Sequence, residues 1–134
     1  MEEKRGDHLL IDECLSQFVR PKLRHEYVNL AHSFSLLKSD PRAAFENLLT
    51  ILFMAPLLVG RGDIARRNLI LLKELVDKLE MQGGRSALMI RIVEEFYRGY
   101  DSVIMKINKV QQVYAIDIDL SFLKELNWEG RKPE

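Results

Sequence analysis

Three histidines, His8, His25 and His32, and a single thiol, Cys14, are the side chains in this 134-residue chain best suited to hold a metal or act as a nucleophile. Their spacing supports neither role. His25 and His32 lie seven positions apart on one helix face, whereas a helical metal pair needs a spacing of three or four for both nitrogens to reach one ion. Cys14 falls on the apolar side of its helix with Leu10 and Phe18, where a thiol is buried and inert. No two carboxylates are placed to divide the work of acid and base; Glu94 and Glu95 read as surface partners of Arg98 and Arg91 at four-residue spacing. Arg61-Gly62-Asp63 spells an adhesion tripeptide, but Asp63 is accounted for as a helix cap. Signatures for phosphate cradling, dinucleotide binding and zinc proteolysis are absent. The sequence therefore predicts no metal, no cofactor and no catalytic residue.

One pattern points the other way. Arg20-Pro21-Lys22-Leu23-Arg24-His25 holds an arginine and a histidine separated by four residues, and this resembles the ribonuclease motif of HEPN-type helical domains, small bundles that dimerise. The resemblance implies that Arg20 would stabilise phosphate charge and His25 would transfer a proton in a cleft between two subunits. It covers six residues. Proline follows the arginine where the family has a polar residue, and the motif lies in the N-terminal third instead of on a late helix. A HEPN-like ribonuclease is the remote alternative to the reading that follows.

These residues must be carried on helices. Met89, Val93, Phe96, Tyr100, Val103, Ile107, Val110 and Tyr114 form an unbroken alternation of four- and three-residue steps, which keeps one seam of a helix facing its neighbours and fits no strand period. The same spacing recurs at Leu23, Tyr27, Leu30, Phe34 and Leu37, and at Ala65, Leu69, Leu72, Val76 and Leu79. Punctuation between the seams divides the chain. Asp7 caps a first helix to about Val19, which Pro21 interrupts, and a second covers about Lys22 to Lys38. Asp40-Pro41 starts a third that runs to about Val59 and bends at Pro56. Asp63 caps a fourth, about Ile64 to Met81, ended by Gly83-Gly84, and Ser86 caps a fifth. Gly99 interrupts the fifth by composition, yet the seam keeps its phase across it, so one helix is expected to continue to Tyr114. Ala115 to Asp119 reads as an extended connection to a short last helix, about Leu120 to Trp128, that folds back on the bundle. The expectation is an all-α antiparallel bundle of five to six helices in a single domain, 1–134, with 1–6 and 129–134 frayed and one long helix in the C-terminal half.

Two surfaces follow from this arrangement. At ~1.5 Å per residue the fifth helix is ~43 Å long against ~27 Å for the second and fourth, so Ile107, Val110 and Tyr114 outrun their neighbours. They are the candidate apolar partner-binding residues, for a two-fold homodimer or another protein partner. Folding the helices up and down also gathers Arg20, Lys22, Arg24, Arg61, Arg66, Arg67, Lys106 and Lys109 at one end, a candidate anion site for DNA or RNA phosphates.

Composition narrows the classes further. Twenty basic and twenty acidic residues cancel, so no overall charge announces a polyanion or membrane partner. A hydrophobic content of 47% suffices for one real core. The most apolar run, Leu48 to Val59, is twelve residues long, short of the ~20 that span a bilayer, and reads as a helix buried on most sides. One cysteine and an acidic-basic start after Met1 place the chain in the cytoplasm with no membrane partner. The expected function is a non-catalytic interaction protein, an adaptor, assembly subunit or regulator that self-associates through an apolar helix face; the alternative is a nucleic-acid-binding accessory protein that uses the basic end.

Overall fold

The computed structural model describes residues 2–19 and 30–126, with 2–5 as backbone alone. Helix α1 spans Glu2–Cys14 and continues through a π turn, Leu15–Val19; α2 joins Ala31–Ser35 to a 3-10 turn, Leu36–Lys38. Helix α3 covers 41–58 as Pro41–Leu49, a π turn Thr50–Met54 and Ala55–Leu58. Then come α4 (Gly62–Gly83), α5 (Ala87–Tyr114) and α6 (Phe122–Leu126), with no strand among the described residues. The protein is an all-α helical bundle with one long helix in its C-terminal half. Pro21, the first half of the expected second helix, Trp128 and the tail 129–134 lie outside the described residues.

Side-chain caps and turn residues set most boundaries. Asp40 Oδ1 accepts from Ala43 N at 3.2 Å with Pro41 opening α3, and Ser86 Oγ accepts from Met89 N at 3.2 Å to start α5. Gly84 closes α4 with φ at 68°, a conformation that costs glycine nothing. Two expected caps are displaced. Helix α1 begins at Glu2, so Asp7 is a buried interior residue; Glu2 and Glu3 suit the positive helix end and carry the helix past it. Helix α4 begins at Gly62, which puts Asp63 within the first turn and Arg66 and Arg67 in the second.

The middle of the bundle is built by α3, α4 and α5. Phe45, Leu48, Leu49, Leu52 and Phe53 of α3 are fully enclosed, as are Ala65, Leu69 and Leu72 of α4, and each large side chain so buried contributes about 1.5–3 kcal/mol. Helix α5 runs unbroken through Gly99. A Cβ at that glycine would stand 2.8 Å from Leu49 Cδ1 and 3.4 Å from Phe45 Cβ, so the missing side chain is what lets α3 and α5 approach. Beside it the Phe45 and Phe96 rings meet edge to face at 5.5 Å, a favourable aromatic geometry.

Helix α3 carries a π turn, Thr50–Met54, just before Pro56. Pro56 has no N–H to offer the carbonyl four residues back, and Asn68 Nδ2 of α4 donates to that Leu52 oxygen at 2.9 Å. The helix is buried on most sides, as its sequence indicates, with Ile51 and Leu58 exposed and Val59 exposed just past its end.

Polar clasps close the periphery. Lys38 meets Asp12 at 2.9 Å, tying α2 to α1. Lys73, nearly buried, meets Asp77 at 2.6 Å and lies 5.9 Å from the centre of the Tyr97 ring. Glu95 is buried with its carboxylate on Arg98 at 2.8 Å, a three-residue pair that replaces the expected Arg91–Glu95 pairing.

Candidate interaction surface

The seam of α5 changes character along its length. Met89, Phe96, Val103 and Ile107 are buried, Val93, Tyr100 and Val110 are half-buried, and Tyr114 is 69% exposed. This corrects one candidate: Ile107, at 0% exposure, belongs to the chain's own core and offers nothing to a partner. The reason is coverage. Helix α4 has 22 residues, about 33 Å at the α-helical rise and longer than the sequence suggested, and the segment after α5 returns over the same end.

That return is built by the helix terminus. Ala115 takes the left-handed conformation, φ 51°, and Ile116 N donates to Gln111 O at 3.1 Å, the geometry that terminates many helices. Gln111 Oε1 then accepts from Ile118 N at 2.6 Å. The extended stretch leads to Asp119, whose Oδ1 accepts from Ser121 N at 2.9 Å and starts α6; this bond holds the Asp119 carboxyl below the usual carboxylate range. Phe122 reaches the Phe53 ring, 6.3 Å between centres and edge to face, and Ile118, Leu120, Leu123 and Leu126 pack against the core.

What remains open lies on the outer side of the last turns. Val113 is 65% exposed and Ile116 48%. At about 100° per residue, Lys106, Lys109, Val110, Val113 and Tyr114 fall within an arc of about 140°, so they share one face, with the lysines toward its start and the apolar residues toward the helix end. Val113 and Ile116 are the residues that the seam argument missed. Val113 is apolar at a position off the four-three alternation, and that was the available signal.

The predicted basic end is partly neutralised. Arg61 lies 3.4 Å from Asp63 and Arg66 3.5 Å from Glu125 of α6; the Arg61 guanidinium draws the Asp63 carboxyl below its ordinary range. Both pairs are exposed and individually weak. Arg67 is exposed as well. Lys106 and Lys109 are exposed, with no carboxylate in pairing distance among the described residues. Arg20, Lys22, Arg24 and His25 lie outside the described residues, so the basic end and the HEPN-like pair are placed only in part.

Other features hold less chemistry. An open groove of about 610 Å³ beside the α4–α5 turn is lined by Glu80, Arg85, Met89, Ile90 and Glu94. A smaller one, about 190 Å³, lies over Gly99 between the Arg42–Glu46 and Glu95–Arg98 pairs. Cys14 is buried, with its thiol 3.8 Å from Gln82 Oε1 and its pKa raised by burial. His8 Nε2 is enclosed without a hydrogen-bond partner among the described residues, and His32 is exposed. Among the described residues no three metal-binding side chains cluster, and no helix is long and apolar enough to cross a membrane. Compared with known protein families, curated proteins and solved structures, the chain matches none.

Proposed function

We propose that this chain is a non-catalytic helical-bundle interaction protein, an assembly subunit or adaptor that engages a protein partner through the distal face of α5. One observation carries the reading: a single seam on a single helix goes from complete burial at Ile107 to 69% exposure at Tyr114, with Val113 and Ile116 exposed beside it. Apolar residues grouped at a helix end, with an aromatic among them, are the composition of an interface centre. A buried free thiol accords with a cytoplasmic setting.

The nucleic-acid reading draws less support, because Arg61 and Arg66 each already face a carboxylate. The ribonuclease reading rests on Arg20 and His25 alone. A photo-crosslinking amino acid placed at Tyr114, in cells producing the full chain, tests the proposal. It should yield discrete protein adducts that the same group at Leu9, an exposed apolar position on α1, does not. Equal, diffuse labelling from both positions would end this reading. Binding of labelled DNA or RNA at low salt, lost on Arg66→Glu with Arg67→Glu, would favour the alternative.

A further inference from the structure

We infer that the partner at this face is a second copy of the chain, paired antiparallel about a two-fold axis that crosses the last turns of α5 between Val110 and Val113. The inference rests on the reading above that the face is an interaction surface, and it adds the identity of the occupant.

Charge order along the exposed stretch points to it. Lys106 and Lys109 lie before the apolar centre, and Asp117 and Asp119 follow the helix cap. The carbonyl end of α5 adds negative partial charge beside those acids. Among the described residues neither lysine has a carboxylate partner and Asp117 has no cation. Lys106 and Asp117 are eleven positions apart in the sequence, and between them α5 ends at Tyr114 and Ala115 turns the chain. Laying two copies side by side in opposite directions sets the lysines of each beside the acidic helix end of the other, twice over. A parallel alignment would set like charge on like. Between the charged ends the antiparallel arrangement apposes Val110 and Val113 of one copy with the partner's Val113 and Val110, while Tyr114 lies beside the partner's Lys109. One patch meets itself, which is the requirement of a closed two-fold dimer.

The patch also sets the strength. A few exposed apolar side chains per copy fall short of the ~800 Å² per partner that stable complexes bury, so association should be reversible and fall in the micromolar range.

Sedimentation velocity of the full chain from low to high micromolar concentration reads the mass directly and should move from one chain to two. Lys106→Glu with Lys109→Glu in one variant, and Asp117→Lys in another, should each weaken association by about tenfold or more. An equimolar mixture of the two variants should associate better than either variant alone, because the reversed charge at position 106 then meets the reversed charge at position 117. Val113→Asp should remove the dimer without changing the circular dichroism of the monomer. A monomer at every concentration, with Tyr114 adducts to some other protein, would overturn this inference and leave the interaction reading standing. A monomer with no specific Tyr114 adduct would remove both. A dimer indifferent to all three variants would place the contact on another face and overturn the inference as well.

Discussion

The two halves of α5 follow one sequence pattern and meet two fates. Around Gly99 the helix is pressed against α3, with Phe45, Leu49 and Phe96 fully enclosed and no room for even a methyl group beside Leu49. Fifteen residues later the same seam ends on Tyr114, mostly in solvent. Periodicity decides which face of a helix is apolar. Coverage is decided elsewhere, by the reach of α4 and by the return of the segment after Ala115. The first half of α5 is therefore enclosed within the chain, and the second half ends on exposed apolar residues.

The sharpest way to break this contrast is to truncate the middle. Leu52→Ala should cost about 2–5 kcal/mol in denaturant unfolding, because the fully enclosed side chain would leave a cavity, whereas Tyr114→Ala should leave monomer stability within about 0.5 kcal/mol. A large loss at Tyr114 would mean that it is core. Asn68→Ala should cost about 1–3 kcal/mol by depriving the Leu52 carbonyl of its donor; an unchanged midpoint would show that this carbonyl finds another partner.

Gly99→Ala tests close packing through its sign. In an exposed helix the change gains up to about 1 kcal/mol of propensity, but here the new methyl meets Leu49 and overpacking costs about 1–3 kcal/mol. A net loss is expected, and a gain would show that α3 and α5 are not in close contact. At the other end the sign reverses again. Ala115 holds a left-handed conformation, so Ala115→Gly should stabilise the fold by a few tenths to about 1 kcal/mol in thermal unfolding. The smallest effect concerns acid. Asp119 has a carboxyl whose folded pKa lies below the ordinary 3.8, so its capping contribution is present above that value and is lost as pH falls through the lowered one. Phe122 should report detachment of α6 by NMR there before the middle unfolds, and Asp119→Asn should weaken that dependence.

Much of this was legible in the residues. The described residues of the two shorter seams are buried, and the α5 seam is buried or half-buried as far as Val110; Asp40, Ser86 and Gly84 act where their chemistry puts them, and the unbroken phase across Gly99 forecast one helix. Local signals misled where a competing contact decides. Asp7 and Asp63 are good caps on their own, but helix starts at Glu2 and Gly62 overrode them. Pro56 signalled a distortion, whereas the π turn and the Asn68 bond that accommodates it depend on α4. The burial of Ile107 was out of reach for the same reason: it depends on how far α4 extends and on Ala115 turning the chain back, neither of which the seam encodes. The basic end illustrates the limit for sites. Helix order gathers Arg61 and Arg66, but only the placement of α6 brings Glu125 to Arg66.

Residue-resolved amide hydrogen exchange of the full chain, at low and at high micromolar concentration, tests the contrast most directly. Amides from Phe45 to Phe53 and around Gly99 should be strongly protected at both concentrations, and those from Val110 to Ile116 weakly protected when dilute and markedly slower when concentrated. Protection at the distal turns that is identical at the two concentrations would contradict the account, as would fast exchange in the middle of α3.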